Sequence, residues 1–156
     1  MTEPTFEPEQ LVAALNAAGV AYVIVGGIAV AAHGVVRATA DLDLVPEPSA
    51  ENLDRLARTL ADLGAEHPID EVLTGESLAL PVSFKLRTRH GALQVLNRMP
   101  AVPPYERLRA NAITVDLTRD VRAVICSLED LRAMKVASGR PRDLVDVAEL
   151  DEINGH

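Results

Sequence analysis

Apolar residues recur along this chain with two periods, and the periods divide it into predicted helices and strands. A spacing of three or four residues predicts an opening helix over residues 8–18 and the clearest helix of the sequence between Ser49 and Gly64. Ser49 is a favourable N-cap residue, and Gly19 and Gly64 stand where a glycine commonly follows the last turn of a helix. The first part of the chain is therefore predicted to contain two amphipathic helices.

Between these helices lie two predicted strands with different side-chain patterns. Residues 21–25 are mostly β-branched or aromatic and end at two glycines, which is typical of a short buried strand. Asp41 to Val45 alternates carboxylate and aliphatic side chains, which predicts a strand with one polar and one apolar face. A short helix of small residues is predicted between the strands, from Ile28 to about His33.

The second half of the chain predicts strands first and helices last. Four strands, paired as two hairpins, are predicted at residues 82–87, 92–96, 113–117 and 121–125. Three helices are predicted at residues 104–108, 127–138 and 141–153. Residues 64–80 show little periodicity and are predicted to form irregular structure or short pieces. This order of elements predicts an α+β protein in which helices pack on a mixed β-sheet.

Length and composition predict one globular domain over residues 1–156, with 48% hydrophobic and 24% charged residues. No apolar stretch approaches the roughly 20 residues that a membrane helix needs, and Met1 to Glu9 is too acidic and polar for a secretory signal. The sequence therefore predicts a cytoplasmic protein without a membrane partner.

The charge and the cysteine content narrow the function further. The formal net charge of −8 argues against broad nonspecific binding to DNA or RNA, which draws its free energy from cationic side chains. Cys126 is the single cysteine, and its apolar setting predicts a small buried side chain rather than a reactive thiol.

The residues best suited to ligand binding and catalysis are a glycine pair and an aspartate pair. Gly26 and Gly27 follow a predicted strand and precede a helix, where glycine lets the backbone approach a ligand and free N–H groups favour a phosphate. Asp41 and Asp43 are two apart on a predicted strand, so both carboxylates lie on one face. The two carboxylates repel each other unless a cation or a proton lies between them. Their oxygens are the ligand type that magnesium prefers.

Each pair also has a plain structural interpretation. A glycine pair after a strand is most often only a tight turn, and an Asp-x-Asp on a strand is more often edge polarity or turn capping. It is their occurrence together that favours a site for a nucleotide and a metal.

The combination resembles a known signature. Gly26-Gly27, thirteen intervening residues and then Asp41-Leu42-Asp43 resemble the nucleotidyltransferase motif, in which a Gly-Ser or Gly-Gly turn precedes an Asp-x-Asp or Asp-x-Glu pair. Further residues resemble the bacterial AbiEii toxin-like and minimal nucleotidyltransferase groups: Ala29, His33-Gly34, Arg37, Thr39, Leu131, Lys135, Gly139-Arg140-Pro141, Arg142-Asp143-Leu144 and Asp146.

The resemblance implies a fold, an activity and a set of roles. It implies the nucleotidyltransferase fold and transfer of a nucleoside monophosphate from a nucleoside triphosphate, dependent on Mg²⁺ or on Mn²⁺ in its place. The acceptor would be an RNA, a protein or a small molecule, and the setting a toxin–antitoxin or phage-defence system with a cognate antitoxin. The implied roles are metal binding and catalysis for Asp41 and Asp43, and nucleotide binding for Gly26, Gly27, Arg37, Lys135 and Asp143.

One position departs from the family pattern. Family enzymes commonly carry a third carboxylate on a later strand, where this chain has Gln94. An amide cannot act as a general base and binds metal more weakly than a carboxylate. A nucleotide-binding or protein-interaction domain without turnover is therefore one alternative, and an enzyme that modifies cationic antibiotics is another. Asp116, on a different predicted strand, is an uncertain substitute for the missing acid.

Several charged residues outside the aspartate pair have structural or ligand-binding interpretations. His33 is interpreted as a hydrogen-bonded structural residue. Arg37 could pair with the aspartates at 41 and 43 or with a phosphate, and Lys135 could reach solvent or a phosphate. A salt-bridge cluster that holds the last two helices together is predicted for Arg140, Arg142, Asp143 and Asp146.

Overall fold

The computed structural model describes residues 5–66 and 73–155, so part of the segment of little periodicity, residues 67–72, lies outside the described residues. The helices are α1 Pro8–Ala17, α2 Gly26–Ala32, α3 Ala50–Asp62, α4 Gly75–Leu78, α5 Tyr105–Asn111, α6 Leu128–Ser138 and α7 Pro141–Asn154. The strands are β1 Tyr22–Val25, β2 Asp41–Pro46, β3 Ser83–Thr88, β4 Gly91–Leu96, β5 Ile113–Thr118 and β6 Val121–Ile125.

The six strands form one mixed sheet in the order β3-β4-β2-β1-β6-β5. The pairs β2–β4 and β1–β6 are parallel, and the remaining neighbours are antiparallel. The mixed sheet with its helices confirms the predicted fold class. The order places β2, which carries both aspartates, near the middle of the sheet and directly beside β4.

Helices α3 and α6 each begin at a serine side-chain cap. In α3, Ser49 accepts a hydrogen bond from the backbone N–H of Asn52, and the stripe that includes Leu53, Leu56 and Leu60 is buried. In α6, Ser127 accepts from the N–H of Asp130. The sequence therefore determines these helix starts locally.

One local prediction was wrong in detail. Helix α2 begins at Gly26 rather than at Ile28, because the positive φ of Gly26 turns the chain straight from β1 into the helix. Helix α4 is one of the short pieces expected in the segment of little periodicity. Its four residues are too few to show a period, and it forms because the side chain of Thr74 caps the N–H of Ser77.

Within residues 5–66 and 73–155, no helix combines the length and the apolar character that crossing a membrane requires.

Candidate functional site

A cleft of about 630 Å³ opens beside β2, between the sheet and helices α6 and α7. Every residue to which the sequence assigned a site role lines it: Gly26, Gly27, Arg37, Asp41, Asp43, Lys135 and Asp143. The fold thus brings together two sequence segments about 90 residues apart in the chain. The roles of the individual residues remain predictions.

Gly26 lies against the Asp43 carboxylate. The antiparallel register of β1 and β2 sets Val25 opposite Asp43, so the next residue lies against that side chain. A Cβ atom at position 26 would stand 2.2 Å from Asp43 Oδ2, and the φ of +72° is one that other residues rarely adopt. Only glycine therefore leaves room for the carboxylate here.

Gly27 has the same relation to Thr39. A Cβ atom at position 27 would stand 2.6 Å from Thr39 Oγ1. The glycine pair thus leaves room for two side chains, that of Thr39 just before β2 and that of Asp43 within β2. Both glycines also line the cleft, so the backbone is close to any ligand held there.

Asp43 is the electrostatically unusual residue of the cleft. Its Oδ1 atom is buried and has no hydrogen-bond partner among the described residues. Burial, and then the negative charge of Asp41, raise the pKa of Asp43 from its ordinary value of 3.8 to about 7. The positive charges of Lys135, Lys85 and Arg140 act in the opposite direction.

The aspartate pair suits a divalent cation. An unpartnered buried carboxylate oxygen lacks a positive partner, and Asp41 offers a second carboxylate two residues away on the same strand face. No group of three or more His, Cys, Asp or Glu side chains that could hold a metal ion occurs in the described part of the chain. Magnesium commonly takes only one or two protein carboxylates and completes its shell with water and phosphate. Asp41 and Asp43 therefore fit that ion.

Gln94 lies directly beside Asp43. The two residues are paired in the parallel register of β2 and β4, and Lys85 is paired with Gln94 in the hairpin of β3 and β4. The cleft thus presents an amide at the position next to Asp43 where the family pattern places an acid. Asp116 lies on β5 at the opposite edge of the sheet, where it is exposed and pairs with Arg122.

Lys85 is a cleft residue that the sequence reasoning missed. Its Nζ atom is 3.7 Å from Asp41 Oδ2. Gly91 belongs to β4, so the hairpin turn consists of Arg89 and His90 alone, and this turn length sets Lys85 opposite Gln94. The strands predicted at residues 82–87 and 92–96 already allow this register, with residue 87 opposite residue 92, so the hairpin register is the signal that could have found Lys85.

The wall formed by α6 and α7 carries the predicted salt-bridge cluster. Lys135 Nζ lies 3.1 Å from Asp143 Oδ1 and 3.0 Å from Asp146 Oδ2, and Arg140 Nε donates to Asp143 Oδ2 at 2.8 Å. Arg37 pairs with Asp146, so its ion pair is with α7 rather than with the aspartates of β2. The predicted cluster is therefore confirmed in part: Arg140, Asp143 and Asp146 belong to it, but its contacts that join α6 to α7 come from Lys135, and Arg142 makes no ion pair among the described residues.

Asp143 is almost fully buried, with 1% of its surface exposed. Burial alone would raise the pKa of this carboxyl. Hydrogen bonds from Arg140, Ser138 and Lys135 outweigh that effect and hold the pKa well below its usual range. Asp143 is therefore charged and paired at any pH near neutrality.

His33 and Cys126 form a structural contact outside the cleft. The Nε2 atom of His33 lies 2.8 Å from the backbone carbonyl oxygen of Cys126, which confirms its interpretation as a hydrogen-bonded structural residue. The Cys126 side chain is fully buried, and burial raises the pKa of its thiol to about 12. The buried side chain predicted for Cys126 is confirmed.

Three solved structures show which known fold this is. A lincosamide antibiotic adenylyltransferase with bound lincomycin matches with a TM-score of 0.65 and 17% identity, over 97% of this chain and 99% of that chain. An antigenic nucleotidyltransferase-like protein from Paracoccidioides brasiliensis matches with a TM-score of 0.62 and 20% identity, over 93% and 73%. A putative nucleotidyltransferase from Thermotoga maritima matches with a TM-score of 0.57 and 14% identity, over 98% of both chains. At these identities the likeness establishes the nucleotidyltransferase fold.

The sequence itself identifies the family. A comparison with curated proteins found no significant match. The family model described as "Nucleotidyltransferase of unknown function (DUF6036)" matches residues 8–154, which is nearly the whole chain. The chain therefore belongs to this nucleotidyltransferase family.

Proposed function

We propose that the cleft transfers a nucleoside monophosphate from a nucleoside triphosphate to an acceptor hydroxyl, with Mg²⁺ or Mn²⁺ held by Asp41 and Asp43. The observation that carries the proposal is the buried, unpartnered Oδ1 of Asp43, next to a second carboxylate in a cleft lined by cationic side chains. When bound, the metal would neutralise charge on the triphosphate and on the leaving pyrophosphate.

The surrounding residues of the chain would bind and orient the nucleotide. Gly26 and Gly27 let the triphosphate approach the backbone at the start of α2. Lys135 has three N–H donors, of which Asp143 and Asp146 take two, so one donor is left for a phosphate oxygen. Asp143 then acts through Lys135, because it fixes the position of the ammonium group.

The acceptor hydroxyl must lose a proton during transfer, and Gln94 cannot take it. The amide is neutral and has no basic site at neutral pH. We therefore expect slow turnover. The second candidate function, a nucleotide-binding domain without turnover, is favoured by the same residue, since Gln94 is paired with Asp43 at the centre of the site.

A transfer assay with labelled nucleotides separates these two functions. The chain is incubated with each of four labelled nucleoside triphosphates, Mg²⁺ and an RNA, protein or small-molecule acceptor. Lincomycin belongs among the small molecules, because the fold is shared with a lincosamide antibiotic adenylyltransferase. Labelling that disappears in Asp41→Ala and Asp43→Ala but persists in Asp116→Ala supports the enzyme. Nucleotide binding without labelling of any acceptor supports the second candidate.

The toxin–antitoxin or phage-defence setting stays a prediction. It rests on the AbiEii-like resemblance of residues such as Arg37, Lys135 and Asp143. We expect expression of the chain to arrest bacterial growth, and expression of the Asp43→Ala variant to leave growth normal. Equal growth with both proteins contradicts this setting without affecting the proposed chemistry.

A further inference from the structure

Three side chains from adjacent strands form a row across the floor of the cleft. Asp43 on β2 is paired with Gln94 on β4, and Gln94 is paired with Lys85 on β3. Residues at paired positions of neighbouring strands project from the same face of a sheet, so a carboxylate, an amide and an ammonium follow one another. All three line the cleft.

The row changes the charge that the site offers to cations. Asp41 and Asp43 supply two negative charges, Gln94 supplies none, and Lys85 adds a positive charge 3.7 Å from Asp41 Oδ2. A site that holds two metal ions keeps them roughly 3.5–4 Å apart and needs carboxylates to neutralise both. A second divalent ion at Asp41 would have no further carboxylate among the described residues and would face the ammonium group.

Lys85 and the two acids of β2 differ in exposure and in partners. The exposed Lys85 ammonium lies 3.7 Å from Asp41 Oδ2, whereas Asp43 Oδ1 is buried and has no hydrogen-bond partner among the described residues. Asp41 thus already has an ion-pair partner supplied by the chain. Asp43 has no ion pair among the described residues, and the positive charges of Lys135, Lys85 and Arg140 act on it only from a longer distance. The two acids are therefore not equivalent toward a metal.

We propose that the cleft binds one divalent cation with its nucleotide, and that the Lys85 ammonium takes the place of a second cation beside Asp41. This inference rests on the proposed function, since it concerns the same site. It assigns a role to Lys85 and relates it to Gln94. A chain that lacks the third carboxylate uses an internal positive charge instead of a second metal.

The number of bound ions tests the proposal without measuring catalysis. The intact chain is dialysed to equilibrium against Mn²⁺ and a saturating non-hydrolysable triphosphate analogue, and bound metal and bound nucleotide are both quantified. We expect one Mn²⁺ per bound nucleotide for the parent chain. We expect two for the double variant Gln94→Glu with Lys85→Gln, which restores a carboxylate and removes the ammonium.

A single variant, Lys85→Gln, tests the proposal even if the double variant does not fold. Lys85 is exposed, so Lys85→Gln leaves the core intact, and loss of a competing cation should tighten Mn²⁺ binding about two- to fivefold. Arg122→Gln removes an exposed cation of the same charge at β6, remote from the cleft, and should leave Mn²⁺ affinity unchanged.

The possible failures can be told apart. Two Mn²⁺ ions per nucleotide in the parent chain, one in the folded double variant, or unchanged affinity in Lys85→Gln overturns this inference and leaves the proposed function standing. Absence of any Mn²⁺-dependent nucleotide binding by the parent chain overturns both.

Discussion

At the scale of single residues, the site depends on a contact between one glycine and one carboxylate. Gly26 has a positive φ and lies so close to Asp43 that no Cβ atom fits between them. The sequence predicted that this glycine and this aspartate belong to one site, because their spacing is that of a known motif. It could not predict that they touch, because the contact depends on the register of β1 and β2.

Substitution of Gly26 by alanine should abolish metal binding while it lowers the free energy of unfolding only modestly. The strained φ costs about 1–2 kcal/mol of stability, and the added methyl group displaces the Asp43 carboxylate. Gly64→Ala is the matched control, because Gly64 has a φ of +71° and nothing within 4 Å of the added Cβ. Unfolding in denaturant and Mn²⁺ titration should show similar destabilisation in both variants, and loss of Mn²⁺ binding only in Gly26→Ala. Equal Mn²⁺ affinity in both variants contradicts the contact.

Cys126 should resist alkylation in the native protein. Its thiol is fully buried with a pKa of about 12, so almost no thiolate is present at neutral pH. Mass spectrometry after iodoacetamide treatment at pH 8 should show little labelling without denaturant and complete labelling in urea. Rapid labelling of the native chain is the contrary result.

At the scale of elements, α6 and α7 form a wall that is joined by ion pairs and also faces the ligand cleft. Periodicity and capping residues predicted both helices, since Ser127 and Gly139 mark the ends of α6 by local chemistry. The pairing of Arg37 with Asp146 was not predictable, because it joins residues 109 positions apart. Likewise, the sequence placed an amide at position 94, but only the parallel pairing of β2 and β4 sets it beside Asp43.

Asp143 should stabilise the wall in a way that depends on pH. Its pKa is depressed in the folded state, so its contribution is fully present above the unfolded pKa of about 4 and is lost as pH falls toward the lower folded pKa. Asp143→Asn leaves Lys135 and Arg140 incompletely paired and should cost about 3 kcal/mol at pH 7. The difference from the parent should shrink as the pH falls below 4.

Denaturant unfolding between pH 3 and pH 7 measures this effect. Asp116→Asn, at an exposed ion pair on β5, is the control and should change stability by less than about 1 kcal/mol at every pH. A constant difference between Asp143→Asn and the parent across this range contradicts a depressed pKa.

At the scale of the whole molecule, the sheet order concentrates the chemistry at one place. The chain carries a formal net charge of −8, yet Lys85, Lys135, Arg37 and Arg140 all line the same cleft as the acids of β2. Composition therefore excluded a broadly basic surface but could not reveal a local cluster of cations. Only the packing of α6 and α7 beside β2 shows where the positive charges meet.

The free energy of unfolding of the metal-free chain should depend on pH because of Asp43. Its pKa is raised to about 7, so the folded state keeps a proton that the unfolded chain has released, and stability falls as pH rises from about 4 through 7. Asp43→Asn removes this cost and should stabilise the metal-free protein at pH 8 by on the order of 2–4 kcal/mol.

Thermal unfolding with and without Mg²⁺ measures both the cost of the Asp43 charge in the metal-free chain and the stabilisation by bound metal. Magnesium should raise the melting temperature of the parent chain and leave that of Asp43→Asn unchanged, since a ligand stabilises only a state that binds it. A metal-free Asp43→Asn variant that is less stable than the parent at pH 8 contradicts the raised pKa.

The most direct test of the proposed site is calorimetric titration of the chain with ATP, CTP, GTP and UTP in the presence and absence of Mg²⁺. We expect at least one nucleotide to bind only with Mg²⁺, and this binding to vanish in Asp41→Ala and Asp43→Ala while Asp116→Ala retains it. Identical titrations for the parent and the two β2 variants would show that these carboxylates do not hold the metal and nucleotide.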